Sequence, residues 1–414
     1  MAASLAPLLG CHIALPKSRL EKAHVLILGG GFAGLSAAST LKRLAPDLAV
    51  TLIERSPCYV SCPGSNFVVA GLAPIGTLTR DYGQLARTLS INLIHATVAG
   101  VHFPARFVTL GDGSSVSFDR LIVAPGIDFR WDAIDGYSEH ASSTVPHAWK
   151  AGQQTLLLQR QLNAMRDGGV VVITSPDNPY RCPPGPYERA SLIAHYLKRH
   201  KPRSKILIID AKTAFSKQAA FMAGWRQLYP GMIDWISAEN EGHMDHVDIS
   251  KRVIHTEFNS YRADVLNIIP PQKAGRLAQL AGLTDESGWC PIDPLTFESR
   301  LVPNAHVIGD ACNAIPMPKS AFSARTQAQA CAAAVVSLLQ NKQPDAAKLI
   351  NHCYSFLDSD NAISVSAVYG YDHADRHLKT LSYGETSASG DWRGEAIYAH
   401  AWFDTFTRQT FGGV

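Results

Sequence analysis

The chain reads as an α/β protein with two Rossmann-like units followed by a C-terminal piece, and three stretches carry that expectation. The apolar strand His24–Leu28 runs into Gly29-Gly30-Gly31-Phe32-Ala33-Gly34, a helix-like stretch, and a second apolar strand, Ala49–Ile53, ending in Glu54. A similar pair, Gly169–Thr174 and Lys205–Ile209, ends in Asp210. Far downstream, Ala305-His306-Val307-Ile308 ends in Gly309-Asp310 and leads to an alanine-rich stretch from Ser320 to Gln340. Short apolar runs alternating with helical stretches are the pattern of a parallel sheet covered by helices.

The first unit can hold a pyrophosphate. Gly29 permits the tight turn off the strand, and Gly31 lets the backbone approach the phosphates. Ala33 and Gly34 let the helix pack closely with its N-terminal amides facing them. Glu54 lies 20 residues past Gly34, where a carboxylate accepts from both ribose hydroxyls and repels a 2′-phosphate, so NADP is disfavoured. Two later segments favour FAD over NAD. Leu121–Gly126 is a strand ending in a small-residue turn, and Gly309-Asp310 closes another strand. An Asp there suits a ribityl chain, and a helix aimed at the ring would favour its anionic reduced form. Ala124, Gly126 and Asp310 therefore join Gly29, Gly31, Ala33, Gly34 and Glu54 as expected cofactor contacts, and Val98 is counted with them.

The second unit cannot hold one. Where its glycine turn should lie it reads Arg181-Cys182-Pro183-Pro184-Gly185-Pro186-Tyr187-Glu188. Pro183, Pro184 and Pro186 remove amide donors from the place where phosphates would rest. A nicotinamide is not expected there, and a thiol stands in its place.

At 414 residues, 46% hydrophobic and 18% charged, the chain has room for two or three domains. A net charge of +3 without a basic run gives no footing for nucleic acid. No stretch approaches the ~20 apolar residues of a membrane span. Residues 1–21 hold a short apolar run, Leu5–Gly10, before Cys11, and are expected to be the tail of a truncated export signal or disordered. Leu8-Leu9-Gly10-Cys11 also resembles a lipoprotein cleavage site.

The eight cysteines lack the close pairing of zinc sites. Cys331, in the alanine-rich stretch, reads as a buried small hydrophobe, and Cys312 as packing near the flavin site. Cys290 reads as a core or loop thiol. Cys58 and Cys62 follow Glu54, Cys182 occupies the vacated phosphate turn, and Cys353 lies in Leu349–Phe356.

Long stretches then become distinctive: Val145–Gly152, Cys182–Ser191, Phe215-Ser216-Lys217-Gln218, Ile269-Pro270-Pro271-Gln272, Gly288-Trp289-Cys290-Pro291 and Pro316-Met317-Pro318-Lys319-Ser320. With these, the chain resembles the flavoprotein subunit of flavocytochrome c sulfide dehydrogenase from about Lys22 to Gly412. The resemblance implies a glutathione-reductase-like fold, with two Rossmann-like domains and a C-terminal interface domain. Residues 22–136 and 265–340 would form a discontinuous FAD-binding domain and 137–264 the inserted second unit. Residues 341–414 would face a cytochrome.

The resemblance further implies FAD linked by a thioether through Cys62. The local sequence departs from the family in Pro63-Gly64 and in the extra Cys58, so linkage at Cys58, or a Cys58–Cys62 disulfide beside non-covalent FAD, stays open. It also implies a redox-active Cys182–Cys353 disulfide, for which the residues alone equally allow a structural bridge. Glu188 reads as a base for hydrosulfide, an acid at the flavin edge, or an ordinary carboxylate at a helix start near Tyr187. Trp402 and Lys319 would lie near the flavin, or serve only in packing. The implied enzyme is a periplasmic sulfide dehydrogenase yielding elemental sulfur or polysulfide. Its haem would sit on a partner cytochrome c subunit, because this chain has no Cys-x-x-Cys-His site. The main rival is a sulfide:quinone oxidoreductase, which should carry amphipathic C-terminal helices; Phe403–Val414 reads as too short and polar-interrupted.

Overall fold

The computed structural model describes residues 19–412, so Cys11 and most of the segment 1–21, expected to be a truncated export signal or disordered, lie outside the described residues. The first unit forms the centre of an eight-stranded sheet. Its parallel run is Ala305–Val307, Arg120–Val123, His24–Leu28, Ala49–Ile53 and Asn92–Ile94. Leu26, Ile27, Leu121 and Ile122 are fully buried, which explains why these strands read as unbroken apolar runs. The distant segment at Ala305 thus comes back beside the first unit. The two long helices, Phe32–Leu44 and Ala321–Leu339, pack against each other over this sheet.

A second, four-stranded parallel sheet has the order Ile233–Ile236, Lys205–Asp210, Val170–Ser175, Val265–Asn267. This corrects one expected boundary. Val265–Asn267, assigned from sequence to the returning FAD segment, hydrogen-bonds instead with Val171–Ile173. Its three side chains are buried there, and Asn267 helps to fix a buried arginine described below.

Residues 349–385 form an antiparallel meander of three strands, Leu349–Phe356, Ala362–Asp372 and His377–Glu385. A 20-residue helix, Trp392–Phe411, packs on its middle strand. The chain end is therefore a long helix rather than the short segment expected. The polar residues that interrupted the pattern, such as Asp404 and Arg408, fall on its solvent side, while Phe406 and Phe411 are buried. None of the described helices is long and apolar enough to cross a membrane.

Candidate active site

One cavity of about 1300 Å³ extends from the glycine turn to the C-terminal helix. At one end the helix Phe32–Leu44 starts from Gly31 with no side-chain cap and no acid in its first turn, which leaves its first amides for a ligand. Gly29 has φ +102°, and a Cβ there would lie 2.4 Å from the Ala124 carbonyl oxygen. A Cβ on Gly34 would lie 1.9 Å from the Gly29 oxygen. On Gly31 it would meet only Tyr59, at 3.8 Å, so the space in front of Gly31 belongs to the cavity. The Glu54 carboxylate accepts from Gly30 N (2.9 Å) and Ser56 N (3.0 Å) and lines the same space. Ala33, Val98, Ala124 and Gly126 line it as well.

At the other end stand Asp310, Arg181, Trp149 and Trp402. Asp310 Oδ1 and Trp402 Nε1 are buried and find no hydrogen-bond partner among the described residues. Such orphaned groups cost free energy unless a ligand meets them. Burial pushes the Asp310 carboxyl up, against the pull of Arg181 and Lys319. Ser320 caps the helix Ala321–Leu339 through Ser323 N, and its first residues line the cavity. A glycine cradle at one end and an unpartnered acid beside a helix start at the other fit FAD.

Of the two expectations for Lys319, a flavin contact or packing, the structure corrects the first. Lys319 does not line the cavity. Its ammonium donates to the carbonyls of Asp310 (2.8 Å) and Cys312 (2.8 Å) and sits 3.7 Å above the Trp289 ring. Carbonyl bonds and the ring face hold the cation behind the Asp310 turn.

Cys58 and Cys62 both line the cavity as free thiols, at different places. Cys58 pairs with Asp81 across a short strand and lies by Tyr82, whose hydroxyl donates to Gly30 O (2.9 Å). The Cys62 thiol donates weakly to Trp149 O (3.7 Å), the carbonyl that also receives the Arg181 guanidinium. Cys62 is thus at the Trp149 and Arg181 end, and Cys58 beside the glycine turn.

Cys182 and Cys353 face the same cavity. Cys182 sits in the left-handed region at φ +59°, uncommon for a side chain with a Cβ. Its amide donates to Lys319 O (2.7 Å) and its carbonyl accepts from Gly185 N (2.8 Å). A Cβ on Gly185 would fall 2.6 Å from Trp149 and 3.0 Å from Cys182 Sγ, so only glycine fits beneath the thiol. Cys353 comes from the strand Leu349–Phe356. No S–S bond joins the two; the structure holds both as thiols. Burial pushes both thiols up, and each is raised further by the charge of Glu188, Cys182 also by that of Cys353.

Glu188 does not cap its own helix. Its oxygens accept from Asn66 Nδ2 (2.7 Å) and Phe356 N (3.0 Å), and burial pushes its carboxyl above the usual range. The neighbouring Arg189, 2% exposed, donates to Asn66 Oδ1 (3.0 Å), Asn267 Oδ1 (2.8 Å) and two carbonyls. Arg181, Asn66 and Arg189 carried no expectation from sequence. Arg181 alone had a local signal, as the cation preceding Cys182.

In the second unit, Asp210 is fully buried. It pairs with Lys212 (2.6 Å) and accepts from Tyr187 (2.6 Å) and Trp235 (2.8 Å), so ribose hydroxyls cannot reach it.

Residues 155–270 match the family described as sulfide dehydrogenase [flavocytochrome c] flavoprotein chain, central. Residues 345–411 match flavocytochrome c sulphide dehydrogenase, flavin-binding, and residues 23–167 match pyridine nucleotide-disulphide oxidoreductase. The chain is 48% identical over 45 residues, 11% of its length, to the sulfide dehydrogenase [flavocytochrome c] flavoprotein chain of Chlorobaculum thiosulfatiphilum, covering 94% of that chain. It is 23% identical over 346 residues to the mitochondrial sulfide:quinone oxidoreductase of Mus musculus, covering 78% of this chain and 72% of the relative. The solved sulfide:quinone oxidoreductase from Aquifex aeolicus superposes with a TM-score of 0.72 at 18% identity, covering 94% of this chain and 91% of that one. The chain is a homologue of the flavocytochrome c sulfide dehydrogenase flavoprotein, with the pyridine nucleotide-disulfide oxidoreductase fold, and belongs among the sulfide-oxidising flavoproteins.

Proposed function

We propose that this flavoprotein oxidises sulfide at a Cys182–Cys353 centre and delivers the electrons, through FAD, to a cytochrome c subunit. The observation that carries the reading is the meeting of both thiols in the cavity that also holds the dinucleotide cradle. Bound FAD would accept two electrons from the sulfur centre and release them singly. Hydrosulfide attacks one sulfur of the oxidised pair; the S–S bond breaks, one cysteine becomes a persulfide and the other leaves as a thiolate. Glu188, on the same cavity, takes the remaining sulfide proton, and zero-valent sulfur departs as elemental sulfur or polysulfide. The positive φ at Cys182 and the bare Gly185 hold that sulfur in place. Cys62 is the proposed attachment point for the flavin, a reading supported by its place at the Trp149 and Arg181 end of the cavity, whereas Cys58 stands by the glycine turn. Haem on a partner subunit and a periplasmic location complete the reading.

The test is an anaerobic sulfide titration followed at the flavin band. Sulfide should bleach the wild type, and cytochrome c should restore the colour. Cys353→Ser should keep its flavin and resist bleaching; undiminished bleaching would end the thiol route. A second reading, with quinone as acceptor, is favoured by the 20-residue C-terminal helix, on which Ile397 and Tyr398 are 72% and 67% exposed. Reoxidation by a soluble quinone in preference to cytochrome c would select it.

A further inference from the structure

We infer that Lys217 is a positioning residue whose buried ammonium favours the thiolate formed at Cys353 when the proposed disulfide opens; the inference rests on the thiol chemistry proposed above. Lys217 belongs to the second unit, at the start of the helix Gln218–Leu228, yet it reaches across to the C-terminal meander. It is 1% exposed and takes φ +61°, a conformation uncommon for a side chain with a Cβ. Its ammonium donates to Ser355 Oγ (2.8 Å) and to the carbonyls of Cys353 (3.4 Å) and Ile363 (3.4 Å). Its backbone amide donates to Glu385 (3.1 Å).

A buried cation ordinarily has an acid against it, because an unpaired charge in the interior is costly. Lys217 makes no salt bridge with a carboxylate among the described residues. The charged and titratable groups facing it are Cys353, Glu188, Cys182, Glu385 and His352. The Glu188 oxygens are taken by Asn66 and Phe356, and Arg181 is shared with Asp310 and Cys62. The ammonium bonds at Cys353 and Ser355, two residues apart and so on one face of the strand Leu349–Phe356, which sets its charge beside a thiolate formed at Cys353. When hydrosulfide adds to Cys182 and the S–S bond breaks, the electron pair leaves on Cys353, while the incoming sulfur stays on Cys182 as a persulfide. No other oxidant or proton is required for that step.

The test uses the reduced full-length flavoprotein and reads alkylation of Cys353 by iodoacetamide against pH, peptide by peptide. Lys217→Met keeps the aliphatic stem and removes the charge; it should move the alkylation midpoint up by about one pH unit, slowing the reaction about tenfold at a fixed pH below it. Lys217→Gln, which keeps a donor for Ser355, should do the same and serves should the methionine variant fail to fold. Lys217→Arg should restore most of the shift. Equal midpoints in all four proteins, or a shift in the arginine variant as large as in the methionine one, would overturn the role of the charge. Because this readout needs no sulfide, it stands apart from the bleaching experiment: loss of the thiol route leaves the midpoint measurement intact, and an unmoved midpoint leaves the thiol route intact.

Discussion

The two Rossmann-like units start alike and end as opposites. Each has a parallel strand, a turn, a helix and a second strand closed by an acid. In the first, Glu54 borders a cavity, Gly31 has open space before it and the helix start is uncapped. In the second, Asp210 is saturated by Lys212, Tyr187 and Trp235, and three prolines stand where amides would be needed. The two units thus share their strand pattern and differ in whether the acid and the turn have internal partners; in the second, the turn carries the thiol.

The sharpest way to break this comparison is to exchange the roles of the two acids. Asp210→Asn strands the buried Lys212 ammonium and should cost about 3–5 kcal/mol in denaturant unfolding, with flavin content unchanged. Glu54→Gln should do the reverse, leaving stability nearly intact while the protein purifies with less flavin. A flavin-free Asp210→Asn protein would mean that the second unit still holds the cofactor.

Glu188 separates the open site from the filled one by chemistry. Its carboxyl is raised by burial, so it stays protonated to higher pH than a free glutamate, and in the proposed route it would act as a base only above that point. Flavin bleaching by sulfide should therefore fall as pH drops through this raised value. Glu188→Gln should remove that limb and slow bleaching about a hundredfold, as stopped-flow rates would report.

His147, at the edge of the second unit, gives the smallest effect. Its Nδ1 accepts from Trp149 N (2.8 Å), and burial, helped by Lys150, Arg189 and Arg181, lowers it from 6.5 to about 3. A histidine lowered in the folded state binds its proton only on unfolding. The stability it supports is complete above about pH 6.5 and declines as pH falls towards 3. Between pH 7.5 and 5.5 this amounts to about 1.4 kcal/mol. Tm measured across that range should fall less steeply in His147→Asn.

What could be read from sequence was local. The glycine turn, Glu54, the Asp310 strand end and the altered second turn each lie within a few residues of the strand that defines them, and the first three line one cavity. Placement that depends on distant partners could not be read. Lys319 looked like a flavin contact from its neighbours, but Trp289 and two carbonyls decide where its charge goes. Val265–Asn267 reads like any buried strand, and only pairing with Val171–Ile173 assigns it to a sheet. Lys217 stood in a distinctive motif without a role, because its partners lie more than 130 residues away.

One short linkage has a mechanical consequence. The Cys182 amide hangs from the carbonyl of Lys319, and the ammonium of that same lysine is tied to the carbonyls of Asp310 and Cys312. Cys182 and the unpartnered acid Asp310 are therefore fastened to one residue, although 128 residues separate them in the chain. A displacement of the Cys182 backbone would therefore be passed through Lys319 to the turn that carries Asp310.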